Sequence, residues 1–183
     1  MDINQLSMAE YVPAGAQATF WAYYRTLLDK ADGGLPKRTD FDPLKIASVL
    51  HTMALSEFVD EDTQLVKLIG GGHDSLWPPS MTGENLFDHI DAGTAAVRKQ
   101  AYKEIVGRPC GCFIEEEAID EKGRTLFYTG LVLPTLSKKG KPTIFLGSYD
   151  FRADDLLMQL SGEVGIKSRR TKSVTYIDLG LKS

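Results

Sequence analysis

The order in which structural signals follow one another constrains this chain more than any single motif. Between Leu35 and Phe151 a short helix introduced by proline and aspartate (Leu35–Leu50) leads into a two-stranded hairpin (Thr52–Gly70). A broken stretch rich in glycine and proline follows (Gly71–His89), then one long helix (Ala92–Gly107), then three strand-like runs joined by tight turns (Gly111–Asp150). Such an order predicts an α+β domain with a five-stranded antiparallel sheet. The long helix and the short helices would lie on one face.

Local chemistry supports each segment. Asp42 can cap a helix through its side-chain oxygen, and Pro43 suits the first helical position, where its missing N–H is no loss. In the hairpin, Met53, Leu55 and Glu57 share one face of the first strand, and Ala54, Ser56 and Phe58 share the other. Asp60-Glu61-Asp62-Thr63 makes the turn, and in the second strand Leu65, Lys67 and Ile69 oppose Val66 and Leu68. Neither strand is cleanly one-sided, which fits a sheet covered in part on both faces. Asp91 can cap the long helix. Val97, Ala101 and Ile105 form its apolar line with Tyr102 and Val106 beside it, while Arg98, Lys99 and Lys103 are expected to face outward. Glu121-Lys122-Gly123 and Ser137-Lys138-Lys139-Gly140-Lys141 punctuate the last three strands as an antiparallel meander.

Before this region, Gln17–Lys30 reads as a helix with Phe20, Tyr24, Leu27, Leu28 and Ala31 on one stripe, stopped by Gly33-Gly34. Trp21 and Tyr23 leave aromatic surface outside the stripe. The helix is expected to lie across its own sheet, and it also offers a homodimer contact. The division expected from these signals is a helical extension (1–34), the central domain (35–151) and a C-terminal extension (152–183). The last contains a short helix near Asp154–Leu160, a basic run Lys167–Lys172 and a strand-like Val174–Leu179.

Leu35-Pro36-Lys37-Arg38-Thr39-Asp40-Phe41-Asp42-Pro43 resembles the opening of a PAS-like family found mainly in alphaproteobacteria, where a P-x-R-x-D-x-D-P segment leads to a helix and a strand. Gly70 at the end of the second strand, Leu86 after Thr82-Gly83, Arg108-Pro109, Leu133-Pro134 and Leu146-Gly147 fit the same pattern. The likeness spans Leu35 to Phe151. It implies a PAS fold and a stand-alone sensory or regulatory role, and it brings no catalytic residues with it. Gly71-Gly72-His73 and Pro78-Pro79 depart from the pattern in the stretch that walls the PAS pocket.

Composition narrows the function. A 183-residue chain with 43% hydrophobic residues can bury a full core, and a net charge of −4 argues against a surface that binds polyanions throughout. Cys110 and Cys112, one residue apart, suit a reducing compartment and not a disulfide framework. The first residues lack a secretory pattern, and no apolar run approaches the roughly 20 residues that span a bilayer. A cytoplasmic location without membrane contact is the expectation.

The chemical motifs are sparse. Gly70-Gly71-Gly72 lacks dinucleotide or phosphate-loop spacing and reads as an exit from an edge strand. The flavin-adduct motif of PAS photosensors, of the Asn-Cys-Arg-Phe-Leu-Gln type, does not occur. Ala92–Gly107 holds no histidine that could bind haem. His89 and His73 lie near the pocket wall, but a lone histidine has no partner set for a metal. No cofactor is named by the sequence. Glu115 and Glu117 could share a strand face as paired carboxylates, although a solvated face explains them more simply. The basic run Lys167–Lys172 lacks the aromatic interleaving of a nucleic-acid surface.

The reading is therefore a sensory module with a small-molecule pocket between sheet and long helix. Pocket candidates are Trp77, Phe87, His89, Tyr102, Cys112 and Phe127. Output would pass to a separate effector protein. The alternative is a ligand-free interaction or dimerisation module with a filled core, and a small-molecule enzyme stands third.

Overall fold

A computed structural model of the chain describes residues 2–73, 77, 81–151 and 165–182. Its elements in chain order are β1 (Asp2–Ser7), α1 (Gly15–Lys30), β2 (Met53–Asp60), β3 (Thr63–Ile69), α2 (Ala92–Gly107), β4 (Gly111–Asp120), β5 (Thr125–Thr135), β6 (Ile144–Phe151) and β7 (Ile166–Asp178). Short 3-10 helices connect them, notably Pro43–Thr52 and Leu86–His89. The expected helix over Asp154–Leu160 and the Pro78-Pro79 break lie outside the described residues.

The strands form one sheet in the order β1-β7-β4-β5-β6-β2-β3. The five expected strands are present, but the sheet has seven among the described residues. The basic run and the strand-like tail are one long strand, β7, antiparallel to β4, and the N-terminal residues add β1 parallel to β7. Charge disguised β7. A strand can carry Lys and Arg on its solvent side while every second residue faces the core.

Both faces of the sheet are covered. On one, α1 packs Phe20, Trp21, Tyr24 and Leu28 against Leu131, Leu133, Leu146 and Ile177, joined by Ile46 and Val49 of the Pro43–Thr52 helix. On the other, α2 packs Ala101, Tyr102 and Ile105 against Cys112, Ile114, Tyr128 and Phe145, together with Leu86 and Phe87. The expectation that all short helices share one face is therefore corrected. Pro43–Thr52 lies on the α1 side and Leu86–His89 on the α2 side.

Polar anchors fix α1. Gln17 is buried and its amide reaches the carbonyls of Thr129 (3.1 Å) and Ser148 (3.2 Å). The Tyr24 hydroxyl donates to the Pro134 carbonyl at 2.5 Å. The N-cap residue Ala14 has no capping side chain, so the first turn borrows one from the sheet: the Ala16 amide donates to Asp150 Oδ2 at 3.2 Å. That contact demands Gly15, which has φ +54° and whose missing Cβ would lie 2.0 Å from the same oxygen. The other helix starts follow the expected caps, Asp42 accepting from the Leu44 amide at 3.0 Å and Asp91 from the Thr94 amide at 3.0 Å.

Among several register shifts, one in β3 and one in β7 re-aim side chains. In β3, Val66 pairs with Ser56 and Leu68 with Leu55, which leaves Lys67 as an extra residue and breaks the expected alternation. Its ammonium pairs with Glu57 at 2.9 Å. In β7, Ser173 pairs with Glu115 and Thr171 with Glu116, which leaves Lys172 extra. After β3, Gly70 sits where a Cβ would lie 2.5 Å from the Leu50 and His51 carbonyls, so this glycine is required by close approach of the backbone.

Candidate functional site

The space between α2 and the sheet holds charge as well as apolar surface. Along β4, Cys112, Ile114, Glu116, Ala118 and Asp120 alternate onto the buried side. Along α2, Thr94, Ala95, Arg98, Ala101, Tyr102 and Ile105 form the buried stripe. Arg98 is thus turned inward, 1% exposed, against Glu116, 2% exposed. The outward placement expected for Arg98 is corrected, because it lies four residues from both Thr94 and Tyr102, on their face of the helix.

The pair is bidentate. Arg98 Nε donates to Glu116 Oε1 at 3.0 Å, and Nη2 donates to Oε2. Thr171 Oγ1 donates to Glu116 Oε1 at 3.0 Å, and the Tyr128 hydroxyl also hydrogen-bonds the carboxylate. Arg98 Nη1 reaches the Tyr102 hydroxyl at 3.4 Å. Arg169 of β7 donates to the Tyr128 hydroxyl at 3.0 Å and lays its guanidinium 3.9 Å above the Trp77 ring. The Thr94 hydroxyl lies 3.0 Å from the Arg169 carbonyl, tying the start of α2 to the same strand.

Electrostatics follow from this geometry. Burial alone would push the Glu116 carboxyl up, but the Arg98 charge, the hydrogen bonds from Arg98 and Tyr128 and the Arg169 charge outweigh it and hold the carboxyl below its usual value. Burial works against the Arg98 cation too, and Glu116 together with Tyr102, Tyr149 and Tyr128 more than compensates, so Arg98 stays charged. Burial drives the Tyr102 and Tyr128 hydroxyls up, so both stay protonated and can donate. It likewise pushes the Cys112 thiol far up and Cys110 to about 11, so neither is a thiolate nucleophile near neutral pH. Next to this cluster is a cavity of about 30 Å³ bounded by residues that include Ser56, Trp77, Met81, Tyr102 and Tyr149, room for about one water molecule.

Among the pocket candidates, Trp77, Phe87, Tyr102 and Cys112 come together in the α2-side core. His89 sits at the rim, half-buried, its Nε2 3.9 Å from Glu84 Oε2. Phe127 does not join them. It pairs with Glu117 across β4 and β5 and borders the groove on the opposite face, with Val12 and Pro13. Its parity decides this, because the inward neighbours on β5 are Leu126 and Tyr128. Glu115 and Glu117 share that outer face, where Ser173 donates to Glu115, and Lys172 (3.5 Å) and Arg170 (3.8 Å) pair with Glu117. His73, the other histidine weighed, is buried beside Tyr149, with Nε2 2.8 Å from the Thr52 carbonyl. No group of metal-ligating side chains occurs among the described residues.

Arg98, Glu116, Tyr128, Arg169 and Thr171 were not expected at the site. A signal existed for two of them: Arg98 occupies a core position of the α2 stripe, and Glu116 stands in the apolar row Cys112-Ile114-Ala118. A charge at a core position of each of two facing elements marks a buried pair.

Against known proteins, no curated protein matches this chain. Solved structures with a similar backbone include a light-oxygen-voltage domain with a flavin analogue, 14% identical, with TM-score 0.46 over 67% of this chain and 93% of that one. An RNA-binding light-oxygen-voltage receptor is 14% identical at TM-score 0.44, over 67% of this chain and 38% of the receptor. The VqmA dimer of Vibrio cholerae is 12% identical at TM-score 0.47, over 62% of this chain and 53% of that one. A sequence model of the PAS domain matches residues 13–150. The chain belongs to the PAS domain family.

Proposed function

We propose that this chain is a sensory or regulatory PAS module that binds a small polar molecule between α2 and the sheet and passes the change to a separate partner chain. The observation that carries the reading is the buried Arg98–Glu116 pair with Tyr102, Tyr128, Thr171 and Arg169 around it. A buried ion pair is a poor device for stability, because desolvation offsets most of its attraction. It is a good device for recognising a polar group. The ligand would exchange hydrogen bonds with Tyr102 or Arg98, and through them bias α2, β4, β5 and β7 together.

The small cavity favours a second reading, in which the core is filled and the module acts through protein contact alone. Enzymatic chemistry has less support. The cysteines are held as thiols, and the paired carboxylates face outward among cations. For the homodimer expected through α1, that helix exposes Gly15, Thr19, Ala22, Arg25, Thr26, Asp29 and Lys30, since its aromatic face is spent on its own sheet. We infer that any partner contact lies elsewhere. Among the described residues no helix is long and apolar enough to cross a membrane, and the free buried thiols suit the reducing compartment proposed for it.

Native beside denaturing mass spectrometry of freshly purified protein, followed by thermal-shift screening with small carboxylates, amino acids and polyols, tests the proposal. A bound mass lost on denaturation, or a rise in Tm abolished by Tyr102→Phe, supports a ligand site. No adduct and no shift across the screen would leave the filled-core reading in place of it.

A further inference from the structure

A second region stands apart from the interior. Where the β5–β6 hairpin meets Lys37–Thr39 and the ends of β2 and β3, a groove of about 870 Å³ opens to solvent. The cationic side chains lining it are Lys37, Arg38, Lys67, Lys138, Lys139 and Lys141, and the one lining carboxylate is Glu57. Glu57 is already engaged by Lys67 at 2.9 Å. None of the other five cations has a carboxylate within ion-pair distance among the described residues. The chain as a whole is acidic, at −4, so this concentration of one sign is local.

Backbone bonds hold the walls in place. The Arg38 amide donates to the Leu136 carbonyl at 3.0 Å, and the Leu136 amide donates to the Pro36 carbonyl at 2.9 Å. One cationic wall is thereby stitched to the base of the hairpin that carries the other. The lining between them carries apolar surface, with Val59 56% exposed and Leu136 and Ile144 half-buried, beside the hydroxyls of Thr39, Ser137 and Thr143.

We propose that this groove docks an acidic segment of a partner protein in which carboxylates alternate with aliphatic side chains. The aliphatic groups would cover Val59, Leu136 and Ile144, and the carboxylates would meet the cations of the two walls. The chemistry points away from nucleic acid. The aromatic ring in the lining, Phe58, is 8% exposed and offers no stacking face. A cleft lined with one sign of charge also focuses the field and speeds encounter with an oppositely charged chain. The inference is independent of whether the interior takes a ligand.

The test is fluorescence anisotropy with a labelled synthetic peptide of alternating Glu and Leu. The comparison probes replace Leu by Ser, or Glu by Lys, and a single-stranded oligonucleotide is run beside them. The exposed hairpin variant Lys138→Glu/Lys139→Glu/Lys141→Glu, checked for an unchanged Tm, and the opposite-wall variant Arg38→Glu supply the protein arms. We expect the Glu-Leu peptide to bind, and to lose at least about tenfold in affinity with the triple variant. Raising salt from about 0.05 to about 0.3 M should weaken it. The Ser peptide should bind more weakly, and the Lys peptide should not bind. Absence of binding at low salt, equal binding by the hairpin variant, or tighter binding of the oligonucleotide would each overturn the proposal. So would a dimer of this chain that the same substitutions dissociate, since the groove would then be filled by a second copy. A co-purified interior ligand, present or absent, changes none of these outcomes.

Discussion

The two faces of one sheet are built to opposite rules. Under α1 the contacts are largely apolar; Tyr24 ends on a backbone carbonyl, Gln17 on two carbonyls and the Thr129 hydroxyl, and no ion pair is buried there among the described residues. Under α2 the same strands present Glu116, Tyr128, Arg169 and Thr171 to a helix that answers with Arg98 and Tyr102. Apolar packing is non-directional and tolerates small shifts at modest cost. A bidentate ion pair has one good geometry and is expensive to leave half-made. The α1 face is suited to holding the fold, and the α2 face to registering a change.

The sharpest way to break that contrast is to remove one member of the pair. Arg98→Met or Glu116→Leu alone should lose about 3–5 kcal/mol in urea unfolding, because the surviving charge is buried without its partner. The double variant should recover most of the loss, within about 1–2 kcal/mol of the parent. A double variant as unstable as either single one would mean that the pair supports the fold, and the contrast would collapse.

On the α1 face, Leu133→Ala should lose about 2–5 kcal/mol with no second substitution that restores it, since the cost is a cavity among packed side chains. Tyr24→Phe should lose about 1–2 kcal/mol by stranding the hydrogen bond to the Pro134 carbonyl, read as a fall in Tm without change in fold. The smallest effect is in acid. Glu116 has a folded pKa below its unfolded value of about 4.3, so its share of stability is present above that pH and is lost as pH falls through the folded value. Between about pH 5 and pH 3 the parent should lose more stability than the Arg98→Met/Glu116→Leu double variant. Parallel curves would show that other carboxylates, such as Asp120 beside Arg124, dominate the acid limb.

The sequence was most readable where one residue's chemistry acts on its own neighbours. The caps at Asp42 and Asp91, the hairpin turns and the full extent of α2 depend on contacts within a few residues, and each stands where the pattern puts it. It was least readable where partners are distant. Asp150 caps α1 from 134 residues away, and Thr171 reaches Glu116 across 55. Arg98 was read by its charge when its place in the helical stripe was the better guide. Phe127 has the bulk and the chain position of a pocket residue, but its parity on β5 puts it on the other face. The bulge in β7 adds a further difficulty. Arg169, Thr171, Ser173 and Thr175 are all odd-numbered and would share a face in a regular strand, yet the first two pair with inward residues of β4 and the last two with outward ones.

That bulge makes the sheet a lever. Lys172 is its fulcrum: inboard of it, Thr171 and Arg169 grip the buried cluster, and outboard, the Lys172 ammonium touches Glu117 on the far side of a wall one strand thick. At that extra residue the ladder with β4 is interrupted, and a bulge of this kind bends the strand that carries it. One strand thus ties the sealed Arg98–Glu116 cluster on one side of the sheet to a half-buried carboxylate on the other.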